Sequence, residues 1–153
     1  MSLNTHHSHN YDGYMLCHIT LPMMLFHALH QIEESISFFG WYIDHASKIP
    51  DWLLITSIEN AKTIVQHPEY FIVASFAQLF FVALIAFIAR HDEHTTRIFQ
   101  FLYLSGLTFF MVWHIIISYL AQSYAPIMVT SIGGLSFIYI WFKKMLIPNT
   151  IKS

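Results

Sequence analysis

The 153-residue sequence predicts an all-α integral membrane protein with four transmembrane helices and a short interfacial helix between the first and second. Three observations carry this. The hydrophobic class makes up 56% of the chain and the charged class only 10%, where soluble domains carry roughly 25% charged residues. Aromatic residues reach 17%, and many of them fall near the ends of apolar runs, as interfacial aromatics do. The apolar runs themselves approach the ~20 residues that cross a hydrocarbon core. A soluble globule of this size could not hide so much apolar surface.

The elements follow in order. Residues 1–13 are polar and form an expected disordered tail, with His6, His7 and His9 in it. It has no positive n-region, so no cleaved signal peptide is expected. The first span, 14–43, is apolar at both ends and polar in the middle, where HALHQIEES stands. It counts as a span because its polar residues share one helical face. Residues 44–69 are polar to amphipathic. There Pro50-Asp51 opens a stretch in which Trp52, Ile55, Ile58 and Ala61 recur at about helical spacing, the pattern of a helix lying at the interface. The second span, 70–89, is uninterrupted except for Gln78. The polar loop RHDEHTTR leads to the third span, 98–121, which carries Gln100 and His114. A short turn, QSYAP, precedes the fourth span, 127–142, where Gly133 and Gly134 point to close helix packing. Residues 14–146 thus form one membrane domain, followed by a tail, 147–153.

Charge sets the orientation. Arg90, Arg97, Lys143, Lys144 and Lys152 fall on one side of a four-span chain, against Lys48 and Lys62 on the other. The positive-inside rule then places both termini in the cytoplasm, with a plasma membrane of bacterial type as the expected location. A net charge of −2 and the lack of a basic patch exclude a nucleic-acid partner. A single cysteine, Cys17, excludes an internal disulfide and a cysteine-based zinc site.

The chemistry is concentrated in HALHQIEES. At about 100° per residue, His27, His30 and Glu34 fall within roughly 60° of each other, with Glu33 about 60° beyond His30. A charged carboxylate at mid-membrane costs about 2.5–3.5 kcal/mol, so this face turns to the bundle interior, a partner or water. His114 lies seventeen residues beyond Arg97, about 25 Å along a helix, and His30 sixteen beyond Tyr14, about 24 Å, so the two come to similar depth. Imidazole and carboxylate suit a divalent metal, zinc or iron. His30, Glu34 and His114 would supply three ligands and leave one open position, with His27 a supporting candidate and Glu33 the general base for a bound water. Without metal, two close carboxylates that resist ionising together become an acid and a base, and His114 orients the substrate. Glu33 and Glu34 could also mark the interfacial end of a shorter span, and His114 a structural helix–helix hydrogen bond.

The motif His30-Gln31-Ile32-Glu33-Glu34, together with the later segment WHIIISYLAQSYAPIMVTSI, resembles the HXXEE-domain family of small multi-span membrane proteins. In that segment His114, Tyr124, Pro126 and Thr130 occupy the family's histidine and its Y-x-P-G-x-x-T turn, with Ile127 replacing the glycine. The resemblance spans about residues 25–142. It implies that His30, Glu33, Glu34 and His114 form a shared site, and that the site is enzymatic. The expected function is a metal-dependent membrane enzyme that activates water against a lipophilic or membrane-proximal substrate. The alternatives are a proton- or ion-coupled transporter, a haem protein with bis-His ligation by His27 or His30 with His114, and a structural subunit. Four short spans enclose little volume, so a homo-oligomer is expected as a partner.

Overall fold

The computed structural model describes residues 19–146, with side chains as far as Lys144. The tails, residues 14–18 of the expected first span, and with them His6, His7, His9, Cys17 and Lys152, lie outside the described residues. Among the described residues all regular structure is helical. Helix α1 (Leu21–Glu33) passes through a π-helical turn (Glu34–Phe38) into α2 (Phe39–His45). Two 3-10 turns, Ala46–Lys48 and Asp51–Leu53, lead to α3 (Ile58–Gln66). Three long helices follow: α4 (Pro68–Ala89), α5 (Glu93–Ala121) and α6 (Met128–Leu146).

The first span is therefore one path but not one regular α-helix. A π turn is wider than an α turn and leaves carbonyls without their usual partners. Here serine hydroxyls serve some of them: Ser35 donates to the Ile32 carbonyl at 2.8 Å and Ser37 to the Glu33 carbonyl at 3.2 Å. The interfacial helix begins later than its spacing suggests. Asp51–Leu53 close only a 3-10 turn, and α3 starts where the Ser57 hydroxyl caps it by accepting from the Asn60 N–H at 3.1 Å. Pro22 and Pro68 stand in the first turns of α1 and α4, where a missing N–H costs no helical hydrogen bond. Asp92 caps α5. The hydroxyl and backbone N–H of Thr95 both donate to its carboxylate and hold it below the usual carboxylate range.

Two apolar clusters flank the middle of the bundle. One joins Phe38, Tyr42, Ile49, Trp113, Ile117 and Ile127. The other joins Met23, Leu104, Leu107, Met111, Ile138 and Trp141. The connection after α2 is fastened over the first cluster by two hydrogen bonds, Tyr42 to the Thr56 carbonyl and Trp113 to the Leu53 carbonyl, while Trp41 donates to Ser123 and ties α2 to the turn between α5 and α6. The residues of HALHQIEES and His114 lie between the clusters.

Two helices, α4 and α5, are long and apolar enough to cross a membrane. The α4 helix is the more telling. It is apolar on every face, yet only Ala86 and Ala89 are buried, while Phe76, Phe80, Phe81 and Ile88 stand exposed. A helix that is hydrophobic all round belongs inside something. The described residues do not cover it.

Of the glycine pair, only Gly134 is needed for packing. A Cβ there would run into the Phe26 ring tip and lie 2.6 Å from Met111 Sδ, whereas one at Gly133 meets nothing within 4 Å. Gly134→Ala is therefore expected to destabilise the protein by about 1–3 kcal/mol through overpacking. Gly133→Ala should gain up to about 1 kcal/mol from helix propensity. Thermal unfolding of the two variants in one detergent checks the contrast, and equal midpoints contradict it.

Candidate functional site

Five helical segments meet at the site, α4 contributing Phe71 and Gln78. The α1 helix supplies His27, His30, Gln31 and Glu33; the π turn supplies Glu34; α5 supplies Tyr103 and His114; α6 supplies Thr130. The imidazoles of His27, His30 and His114 are all buried. His30 and His114, eighty-four positions apart in sequence, bring their ring centroids to 5.3 Å. Phe38 packs on the His114 ring at 4.7 Å and Trp113 at 4.8 Å. His114 is thus held between His30 and Phe38. Eight residues of regular α-helix would set His30 and Phe38 about 80° apart around the axis. The wider π turn removes most of that angle and lets both reach the same ring.

A hydrogen-bonded chain fixes His30. The Thr130 hydroxyl donates to Glu33 Oε2, and His30 Nδ1 lies 2.8 Å from the same Thr130 oxygen. A hydroxyl has one proton to give. With that proton on the carboxylate, Thr130 Oγ1 must accept from His30 Nδ1–H. The neutral ring then presents a lone pair at Nε2, an atom that is buried and has no hydrogen-bond partner. His27 is tied elsewhere, by a 2.7 Å bond between its Nδ1 and the Tyr103 hydroxyl. Both ring nitrogens of His114 lack a hydrogen bond. Glu34 Oε1 stands 3.9 Å from His114 Nε2, a close pair but too long for a hydrogen bond.

These groups surround a cavity of about 170 Å³ lined by His27, His30, Gln31, Glu34, Gln78 and His114, with Phe71, Leu107 and Phe110 as apolar walls. That is below the roughly 300–1,000 Å³ of pockets that enclose drug-sized ligands. It has room for a small group, not for a macrocycle. A larger depression of about 650 Å³, lined by Trp52, Leu53, Phe109 and Trp113 among others, has no ionisable side chain in its wall.

Of the residues expected from sequence, His30, Glu34, His114 and His27 face one cavity. Glu33 does not line it, but stands behind His30, reached through Thr130. Among the described residues no three His, Cys, Asp or Glu side chains are gathered closely enough to hold a metal ion as they stand. Sequence reasoning noticed Thr130 only as the end of a turn and did not place it in the site. The threonine four residues after Pro126 was the available signal. Ile127, in the place of the turn's glycine, is fully buried, and Gln122 is the only non-glycine with positive φ among the described residues, so the turn does not require glycine there.

A family model described as "Protein of unknown function with HXXEE motif" matches residues 21–142. The chain belongs to this HXXEE family. The match takes in α1 through most of α6, and so covers all of His30, Glu33, Glu34, His114 and Thr130. No curated protein and no solved structure matches this HXXEE chain. Its chemistry must therefore be argued from its own side chains.

Proposed function

We propose that this HXXEE protein is a four-span integral membrane enzyme, both termini cytoplasmic, whose cavity performs acid–base chemistry on a lipophilic substrate. The observation that carries this is the chain Glu33–Thr130–His30, which ends on an unpartnered nitrogen inside a cavity shared with Glu34 and His114. A carboxylate behind a histidine fixes its tautomer and stabilises the imidazolium that forms when the far nitrogen takes a proton. Here the relay passes through one hydroxyl. His30 Nε2 is the base, receiving a proton from the substrate or from a water attacking it. Glu34 and His114 form the opposite wall, where Glu34 holds or returns a proton and His114 orients the reacting group. The lipid-level location is supported by α4, which presents apolar side chains on all sides.

A metal-dependent form of the same site has its own support. Two imidazoles sharing one tetrahedral zinc place their ring centroids about 5 Å apart, from Zn–N bonds of about 2.0 Å. The His30–His114 separation is 5.3 Å. Zinc or iron would need His30, Glu34 and His114 to draw closer than they stand, and would then supply Lewis acidity or an activated water. The Thr130 contact at Nδ1 is of the kind that orients histidine ligands.

The test uses native membrane lipids as the substrate pool. Purified protein is incubated with them in D₂O and in H₂¹⁸O, and the lipids are read by mass spectrometry. Incorporation of ¹⁸O or carbon-bound deuterium into a lipid, lost in His30→Gln and in Glu34→Gln, is the expected result. No incorporation by the wild type contradicts the reading. Metal content of the same preparations separates the two forms. Stoichiometric metal that falls in His114→Ala supports the metal form, and turnover by metal-free protein contradicts it.

A further inference from the structure

Beside the reactive cavity lies an apolar groove of about 220 Å³ between α1 and α4, walled by Ala28, Ile32, Phe71, Ile72, Phe76 and Leu79. Its rim is exposed at Ile32, Ile72 and Phe76. The groove and the cavity share a wall at Gln31 and Phe71, which line both. At this junction Gln31 Nε2 donates to Gln78 Oε1 at 2.8 Å, which bridges the two helices. The other end of the Gln31 amide is unsatisfied: the residue is only 7% exposed and its Oε1 has no partner. A buried acceptor left unpaired is costly, and the natural remedy is a donor. His30 Nε2, on the cavity side, is a second unpaired acceptor.

We propose that groove and junction together bind a single-chain lipid with a hydroxyl head, a long-chain alcohol. This rests on the acid–base reading of the cavity and names its substrate class. The hydrocarbon chain lies in the α1–α4 groove, which it enters sideways from the bilayer. The hydroxyl sits at the junction and donates to Gln31 Oε1 or His30 Nε2. A carboxylate head is refused. It accepts but does not donate when ionised, and it would face two acceptors with Glu34 beside them.

The experiment is photolabelling of the full chain in lipid nanodiscs. Three probes share a sixteen-carbon chain with a mid-chain diazirine and a terminal alkyne, and differ in the head: hydroxyl, carboxylate or methyl. The alcohol is expected to label peptides of α1 and α4 about tenfold more than either other probe, the effect of one good hydrogen bond to a buried acceptor. Ala28→Trp, which fills the groove, should remove the labelling. Gln31→Leu should erase the preference for the hydroxyl while hydrocarbon labelling persists. Equal labelling of wild type by the three heads overturns the proposal, and so does labelling that survives Ala28→Trp. The wild-type comparison stands even where a variant does not fold. Labelling needs no turnover, so a protein that selects the alcohol yet transfers no label from water supports this proposal and contradicts the acid–base reading.

Discussion

Thr130→Val is expected to disable the site from a position outside the cavity wall. Valine keeps the shape of threonine and removes the hydroxyl, so Glu33 loses its donor and His30 Nδ1 its acceptor. Two polar groups are left unpaired in a half-buried to buried setting, which costs about 1–3 kcal/mol for each that finds no water. The larger effect is on function. With no acceptor at Nδ1 the ring proton redistributes between the two nitrogens, and Nε2 is no longer held as the proton acceptor. Removal of a general base costs about 10²–10⁴-fold in rate, so turnover of the lipid that takes up label from water should fall into that range. Thr130→Ser restores the hydroxyl and should recover most of both losses. Serine rescue distinguishes a relay from a packing role: if Thr130 only filled space, Val would be silent and Ser would carry the deficit.

His114→Leu is expected to do the opposite to stability. The imidazole is buried, and neither ring nitrogen has a hydrogen-bond partner. Leucine is close to histidine in volume and is compatible with the surroundings, Phe38 and Trp113. Replacing an unsatisfied buried polar group with an apolar one should stabilise the fold by about 1–3 kcal/mol. Activity should be abolished in the same variant, the exchange expected where a site keeps polar groups for chemistry. A structural helix–helix hydrogen bond makes the contrary prediction, a loss of roughly 1 kcal/mol. Reversible unfolding in mixed detergent reads the sign directly.

Much of the site was legible in the sequence because helical periodicity is a strong constraint. His27, His30 and Glu34 recur at spacings of three and four, so any helix through them gives one polar face. Counting residues from the expected span starts put His30 and His114 at one depth, and their rings do meet. What escaped were features set by tertiary contact. The wheel placed Glu33 on the polar side, but nothing local tells whether a side chain at its edge turns into a cavity or toward a neighbouring helix, and the Thr130 hydroxyl of α6 decided it. The π turn at Glu34–Phe38 was invisible for a similar reason. ESISF carries no glycine or proline to mark an irregularity, and the wider turn is held by serine back-bonding and by the demand of His114 for both His30 and Phe38. The start of α3 was misplaced because Pro50-Asp51 is a good helix opening, while Ser57 is the cap that is used. Length and composition mark α4 and α5 as able to cross a membrane; the first path and α6 were counted as spans from their apolar runs and, in the first, from the single polar face.

In the proposed relay, Glu33, acting through Thr130, fixes the proton of His30 on Nδ1 and leaves Nε2 bare toward the cavity. Nitrogen-15 NMR of histidine-labelled protein in bilayers, with His30 assigned by its loss in His30→Gln, measures this without knowledge of any substrate. The Nδ1–H tautomer at neutral pH, converted to a mixture in Thr130→Val, is the predicted result. An Nε2–H tautomer in the wild type, or a spectrum indifferent to Thr130→Val, would contradict the account.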